Sequence, residues 1–476
     1  MQSVNPAESS AWRRKAVAFV VAITVLRLIL LAFNQTQLFV DETQYWYWGQ
    51  HLDFGYYSKP PFIGWLLRGV TDLAGSDSMF WIRMPGAILH GITALLLGTL
   101  AARLADGRAG LWAAALYVTL PFVAVGSLLI STDTVMAPFY AGALLFFVRA
   151  AQGSGLRDAA FAGLCGGAAF MSKYAAIYLI PGMGLAALVS NAYRVTVLQV
   201  LVMAICAAIV IAPNVLWNLS HDLTTVEHTM DNAGWVRDGA QLNWGSLAEF
   251  FFSQFAVFGP VTMVGLLLGY GAVRNPVTRG LIMLSFPPLL VVLVQAFLDK
   301  AYANWAVATY FAGTVLVVLV LRPRWLKIAL GINLVIAVML PVLTVLAPWP
   351  EWKGQPLMKR YLGREEQSAA ILDIAQGQGL PVYAQSRDIL ADLFHAGQGL
   401  DVTIWAPQPQ GRAHNYYEQM HPLPTEYRGE VLMVARDAPQ CYAPAYHVAN
   451  LPNLGAWSGH NLSVWRVSAG CLNAGG

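Results

Sequence analysis

"RRKAVAFVVAITVLRLILLAFNQTQLFVDE", residues 13–42, decides what kind of molecule this is. Three cations precede the apolar run 16–33, which holds a single charge, Arg27, and a short polar stretch then leads to the adjacent acids Asp41 and Glu42. As a helix rising about 1.5 Å per residue, such a run nearly matches the roughly 30 Å hydrocarbon core of a bilayer. No small-residue cleavage site follows Phe33, so the run reads as a retained membrane helix rather than a signal peptide.

The rest of the chain repeats this pattern. Of its 476 residues, 57% are hydrophobic and 12% charged, where soluble domains carry about 25% charge. Lipid is therefore the expected solvent. Eleven spans are predicted, at approximately 16–33, 85–101, 110–129, 134–150, 159–171, 174–190, 197–213, 248–271, 280–298, 303–321 and 326–347. The fold class is an α-helical polytopic membrane protein.

The net charge of +3 carries little information until the cations are sorted by loop. Arg13, Arg14 and Lys15 precede the first span; further cations fall at Arg103 and Arg108, Arg149 and Arg157, Arg194, Arg274 and Arg279, and Arg322, Arg324 and Lys327. Those connections are expected in the cytoplasm, with the N-terminus. The connections 34–82 and 214–247 are acid-rich and are expected to face outward. The first of these is long for a loop, which usually signals function, and its "TQYWYWGQHL" suits an amphipathic helix with aromatic rings at headgroup depth.

After "LAPWP" the long apolar runs stop. "PVYAQS", "DVTIWAP", "EVLMVAR" and "NLSVWRV" resemble strands, and "REEQSAAILDIAQGQG" and "SRDILADLFHAG" resemble helices ending at glycine. The predicted organisation is a membrane domain over 1–347, containing the outward loop 34–82, and a small α/β domain over 348–476. An odd number of spans puts that domain outside. There Cys441 and Cys471 are expected to form a disulfide, two free thiols being the alternative, whereas Cys165 and Cys206 read as packing residues inside spans. The tail has no Gly-rich phosphate loop and no metal-ligand spacing, and its expected role is accessory.

Asp41 and Glu42 follow the first span closely, where a carboxylate takes a proton from a hydroxyl or holds a metal; acids at a helix N-terminus are the plainer reading. In "GYYSKPPFIGW", residues 55–65, Pro60 and Pro61 exclude a helix at Lys59 and present its ammonium from a stiff turn, suited to a phosphate or to bulk headgroups. Asp133 and Lys173 are flanked by apolar runs, where an unpaired charge costs about 2.5–3.5 kcal/mol, so both are expected to face a polar cavity, Asp133 alternatively capping a loop. Arg27 is expected to turn inward to a partner. His221, Asp222, Glu227 and His228 fit no metal template. Lys300 and Asn304 lie at another outer end; Lys300 suits a phosphate or an acidic sugar, and Trp305 an interface anchor.

Taken in order, the acidic pair, "GYYSKPPFIGW", "RMP" before the second span, "STD" before the fourth and "SKY" near the sixth resemble the bacterial GT-C glycosyltransferases related to protein O-mannosyltransferases and lipid A aminoarabinose transferase. The resemblance covers roughly 20–320. It implies an inverting transferase of the bacterial inner membrane that moves a sugar from a polyprenyl-phosphate donor to a lipid or glycan acceptor at the periplasmic face, with membrane lipids and no nucleic acid as further partners. By motif it implies that Asp41 and Asp133 are catalytic and that Lys59, Lys173 and Arg83 bind the donor phosphate, with Glu42, Tyr57, Lys300 and Asn304 in the same cavity. The aminoarabinose relatives have a metal-associated glutamate just before the motif lysine, and here that residue is Ser58. A divalent ion therefore has only Glu42 and a histidine such as His221 to bind it. A flippase for a lipid-linked sugar, a protein O-glycosyltransferase of the same fold and an envelope scaffold are the alternatives. Absence of an internal repeat weighs against the flippase.

Overall fold

A computed structural model describes residues 6–153, 155–232, 242–439 and 444–473. In chain order its helices are α1 (Pro6–Ala32), α2 (Val40–Gln50), α3 (Phe62–Ala74), α4 (Met79–Leu104), α5 (Gly107–Thr119), α6 (Pro121–Gly126), α7 (Thr132–Ala151), α8 (Gly155–Ser172), α9 (Leu179–Val189) and α10 (Val197–Ser220). They continue with α11 (Thr224–Asn232), α12 (Trp244–Phe258), α13 (Pro260–Gly269), α14 (Pro276–Leu298), α15 (Ala308–Val320) and α16 (Pro323–Leu346). The protein is a multi-pass helical membrane protein, but its helices are less uniform than eleven equal spans.

Among the described residues six helices are long and apolar enough to cross a bilayer: α1, α4, α7, α10, α14 and α16. α12 and α13 make a seventh only as a pair bent by 110°. The expected straight span over 248–271 is thus broken, and local chemistry explains it. Gly259 between the two helices has φ +87°, and a Cβ there would lie 2.3 Å from Asn333 Oδ1. Pro260, which has no N–H to donate, opens α13. The expected span 110–129 breaks for a related reason. Leu120 precedes Pro121 and takes ψ 143°, because a residue before proline is disfavoured in the helical region.

The chain divides into two compact units: Met1–Ala32, Ser58–Ile63 and Arg83–Val342 form one, and Phe33–Tyr57, Gly64–Ile82 and Leu343–Gly476 the other. This differs from a cut at 347/348, since most of the first long loop belongs to the unit that contains the tail. In the first unit the apolar core includes Leu116, Tyr117, Tyr140, Leu144, Phe258, Tyr310 and Leu316, all fully buried. α8 lies close against α10 through Gly163 and Gly167: a Cβ on Gly163 would stand 2.2 Å from the Met203 carbonyl oxygen, and one on Gly167 2.8 Å from Val210 Cβ. Small residues allow such backbone approach where lipid supplies no hydrophobic drive between helices.

The second unit holds a hairpin of β1 (Glu351–Trp352) and β2 (Gln355–Pro356), and a five-stranded sheet of β3 (Val382–Ala384), β4 (Ile404–Trp405), β5 (Glu430–Ala435), β6 (Tyr446–Asn450) and β7 (Ser463–Ser468) in the order β4-β3-β5-β7-β6. β3 pairs in parallel with β4 and β5, and β7 is antiparallel to β5 and β6. Helix α17 (Arg364–Gln378) precedes β3, and α18 (Arg387–Ala396) lies in the crossover from β3 to β4, a connection that parallel pairing requires. α19 (Tyr416–Met420) and α20 (Ala469–Asn473) complete it.

The aromatic helix of the first loop, α2, behaves differently from expectation. Trp46 and Trp48 are 1% and 0% exposed, and the rings pack on protein: Trp46 on His395 with centroids 4.6 Å apart, Tyr47 on Phe394 at 4.9 Å, and Trp48 stacked on Tyr56 at 4.7 Å. Burying rings of this size contributes more as core than as headgroup anchors, so the predicted interfacial helix is an internal one.

Candidate active site

In the membrane unit, Ser131 caps α7 by accepting a hydrogen bond from the Thr134 N–H, which leaves Asp133 in the first turn. A carboxylate is favoured at that end of a helix. Lys173 lies between α8 and a 3-10 turn over Tyr174–Tyr178. Its Nζ donates to both Asp133 oxygens at 2.7 Å, and Asn304 Nδ2 donates to Oδ2 at 3.1 Å. The side chains of Lys173 and Asp133 are only 15% and 13% exposed. Three residues from three separate stretches of sequence therefore converge, and each charge is compensated where an isolated one would be costly.

A buried hydrogen-bonded chain adjoins this cluster. Thr134, next to Asp133, has its hydroxyl 3.3 Å from His90 Nε2, and His90 Nδ1 lies 3.1 Å from the Tyr117 hydroxyl. Arg27 turns inward as expected, donating from Nη1 to Ser127 Oγ at 3.2 Å and from Nη2 to the Val118 carbonyl at 2.8 Å. It thereby satisfies groups near the α5–α6 break. Lys59 is half-buried and Arg83 fully buried. Lys300 is exposed, with Nζ 5.1 Å from the centre of the Tyr302 ring.

In the second unit, Asp41 and Glu42 lie in the first turn of α2 and have separate fates. Glu42 is 1% exposed and its Oε2 accepts the Phe39 N–H at 2.9 Å, satisfying a backbone donor at the start of α2. His221 is exposed, stacked on Trp217 and hydrogen-bonded to the Trp217 carbonyl. Among the described residues no three His, Cys, Asp or Glu side chains form a metal set. Tyr57 is buried, its hydroxyl donating to the Ala413 carbonyl at 2.8 Å. Cys165 and Cys206 are free thiols; Cys471 is disulfide-bonded, and its expected partner Cys441 lies outside the described residues.

Asp41 remains 46% exposed and receives Arg387, whose Nη2 donates to Oδ1 at 2.5 Å. Arg387 Nε also donates to Gln44 Oε1 at 2.7 Å. Nearby the Tyr47 hydroxyl lies 2.8 Å from His421 Nε2. Burial, with His51 adding to it, pushes His421 down to about 4, so it is a neutral ring at ordinary pH. The two candidate carboxylates thus differ: both oxygens of Asp133 are engaged, while Asp41 keeps one open among the described residues. Sequence reasoning passed over Arg387, Gln44, His90 and Tyr117. A signal existed for two of them: a histidine in the apolar "AILHGI" and an arginine opening a helix, where the dipole disfavours a cation.

Apolar helices long enough to cross a bilayer, with charged side chains buried among them, define a polytopic helical membrane protein. Residues 58–217 match the family model described as dolichyl-phosphate-mannose-protein mannosyltransferase. The chain is 39% identical over 474 residues to the lipid A galacturonosyltransferase RgtD of Rhizobium johnstonii, covering 96% of this chain and 99% of that protein. Its fold matches the crystal structures of ArnT from Cupriavidus metallidurans in the apo state, with TM-score 0.64 and 13% identity over 96% of this chain and 98% of the other. The form bound to undecaprenyl phosphate gives 0.63 and 15% over 94% and 97%. The chain belongs to the bacterial GT-C glycosyltransferases, the superfamily of the protein O-mannosyltransferases and lipid A aminoarabinose transferase.

Proposed function

We propose that this enzyme transfers a hexuronic acid, of the galacturonic type, from a polyprenyl-phosphate donor to lipid A or a lipid A-like acceptor. The observation that carries the reading is full-length similarity to a lipid A galacturonosyltransferase at 39% identity. The fold shared with ArnT, one of whose structures holds undecaprenyl phosphate, supports the donor class. The cation distribution around the apolar helices supports an inner-membrane protein with its N-terminus in the cytoplasm and its reaction at the periplasmic face.

In the proposed reaction Asp41 accepts the proton of the acceptor hydroxyl as its oxygen attacks the anomeric carbon of the donor sugar from the face opposite the phosphate. The anomeric C–O bond to phosphate breaks, its electron pair leaving with the polyprenyl phosphate, and the new glycosidic bond has inverted configuration. Lys59, Lys173 and Arg83 are assigned to the growing phosphate charge. Asp133, itself held by Asn304, is assigned to holding Lys173 rather than to moving a proton, since both its oxygens are already bonded. Exposed Lys300 is assigned to the sugar carboxylate.

Mass spectrometry of lipid A, core oligosaccharide and lipid-linked sugars from a deletion strain tests the reading. Lipid A lacking one hexuronic acid, with the polyprenyl-phosphate uronic acid accumulating, is the expected result. Unchanged lipid A with loss of a sugar from envelope proteins would contradict it and favour a protein glycosyltransferase.

A further inference from the structure

We infer that Arg387, contributed by the C-terminal region, is a positioning residue that fixes the Asp41 carboxylate for proton transfer; this rests on Asp41 being the base. Arg387 is the first residue of α18, following Ser386. A cation there meets the positive end of the helix dipole, so helix stability does not account for it. Its guanidinium instead grips one face of α2, where residues three apart are neighbours: Nη2 donates to Asp41 Oδ1 and Nε to Gln44 Oε1.

Both ends of this clamp are held. Gln44 is 2% exposed, so its amide is an anchored acceptor. α2 and α18 are fixed to each other by the Trp46–His395 and Tyr47–Phe394 ring contacts. Arginine's rigid fork satisfies the amide and the carboxylate at once, which a point-charge ammonium does less well. Only Oδ1 of Asp41 is engaged; Oδ2 accepts no hydrogen bond among the described residues, and the two side chains are 46% and 37% exposed. The carboxylate is thus oriented by one oxygen and open at the other. During transfer the acceptor proton moves to Oδ2 while the Arg387 bond to Oδ1 stays intact. A mis-set reacting group can cost about 100-fold in rate, a sufficient reason for a small extracytoplasmic domain to contribute an arm to α2.

The test is transfer by the purified full-length enzyme, using polyprenyl-phosphate hexuronic acid and lipid A from the deletion strain. Arg387→Ala is expected to lower kcat by about 100-fold with KM for both substrates within a few-fold of wild type. Arg387→Lys is expected to recover part of that loss. Guanidinium ion at millimolar concentration, well below denaturing levels, is expected to raise the rate of Arg387→Ala several-fold and leave Asp41→Asn inactive. Wild-type kcat in Arg387→Ala, a loss confined to KM, or a loss that neither the lysine nor guanidinium repairs would overturn the inference. Should Arg387→Ala lose its thermal transition, Arg387→Lys decides: kcat reduced with an unchanged melting temperature supports the clamp, and wild-type kcat overturns it. Full activity in Asp41→Asn would instead remove the assignment of Asp41 itself.

Discussion

A lysine donating to both oxygens of an aspartate at 2.7 Å, with a third residue on the same carboxylate, is a unit whose members do not act separately. Removing one partner of a mostly buried pair leaves an uncompensated charge. Lys173→Met and Asp133→Asn are each expected to reduce transfer on the order of 100-fold, and the double variant to be far less impaired than the product of the two. Full multiplicativity in steady-state kinetics would mean that the two residues serve independent steps. Glu42 makes the opposite case. Its side-chain oxygen accepts the Phe39 N–H at the start of α2, a bond that glutamine also makes. Glu42→Gln is expected to keep its activity, while Glu42→Ala loses about 1 kcal/mol of stability. An activity that vanishes in Glu42→Gln and is restored by added divalent metal would return Glu42 to the role of ligand.

At the scale of elements, the breaks matter as much as the helices. α8 and α10 touch through glycines, and Gly163→Val would drive a side chain into the Met203 carbonyl, already 2.2 Å from where a Cβ would stand. A lower melting temperature in detergent, with no change in KM for surviving enzyme, is the expected outcome. α18 carries a different sensitivity. Asp392 is 6% exposed and burial raises it from 3.8 to about 7, against the opposing pull of Arg364. Between about 4 and about 7 the folded form therefore binds more protons than the unfolded form, so stability falls as pH rises through that window and levels off above it. Asp392→Asn, which resembles the protonated carboxyl, is expected to flatten that slope in melting temperature against pH and to differ least from wild type at acid pH, where Asp392 is neutral. An unchanged slope would assign the pH dependence to other groups.

For the whole molecule, what could be read from the sequence followed the physics of each signal. Apolar length is a strong signal, and each of the eleven predicted stretches is helical, yet length does not report bends, which were set by Gly259–Pro260 and Leu120–Pro121. Ion pairing in a low-dielectric setting was also legible in kind: Asp133, Lys173 and Arg27 stood out because unpaired charge there is expensive, and each has a partner. The partners' identities were not legible, since Asn304 and Ser127 arrive from far along the chain. Strands β3, β4, β5 and β7 and helices α17 and α18 were visible through their alternation and terminal glycines; β6, exposed along much of its length, gave no such pattern. Arg387 carried only the weak signal of a cation at a helix start, and nothing near it in sequence names its partners Asp41 and Gln44. Transfer of a hexuronic acid with Asp41 as base is tested most directly by mass spectrometry of the acceptor after incubating purified wild type and Asp41→Asn with polyprenyl-phosphate galacturonic acid and lipid A. One added hexuronic acid residue with wild type, and none with a folded Asp41→Asn, is the expected result; no addition by wild type, or equal addition by both, would contradict it.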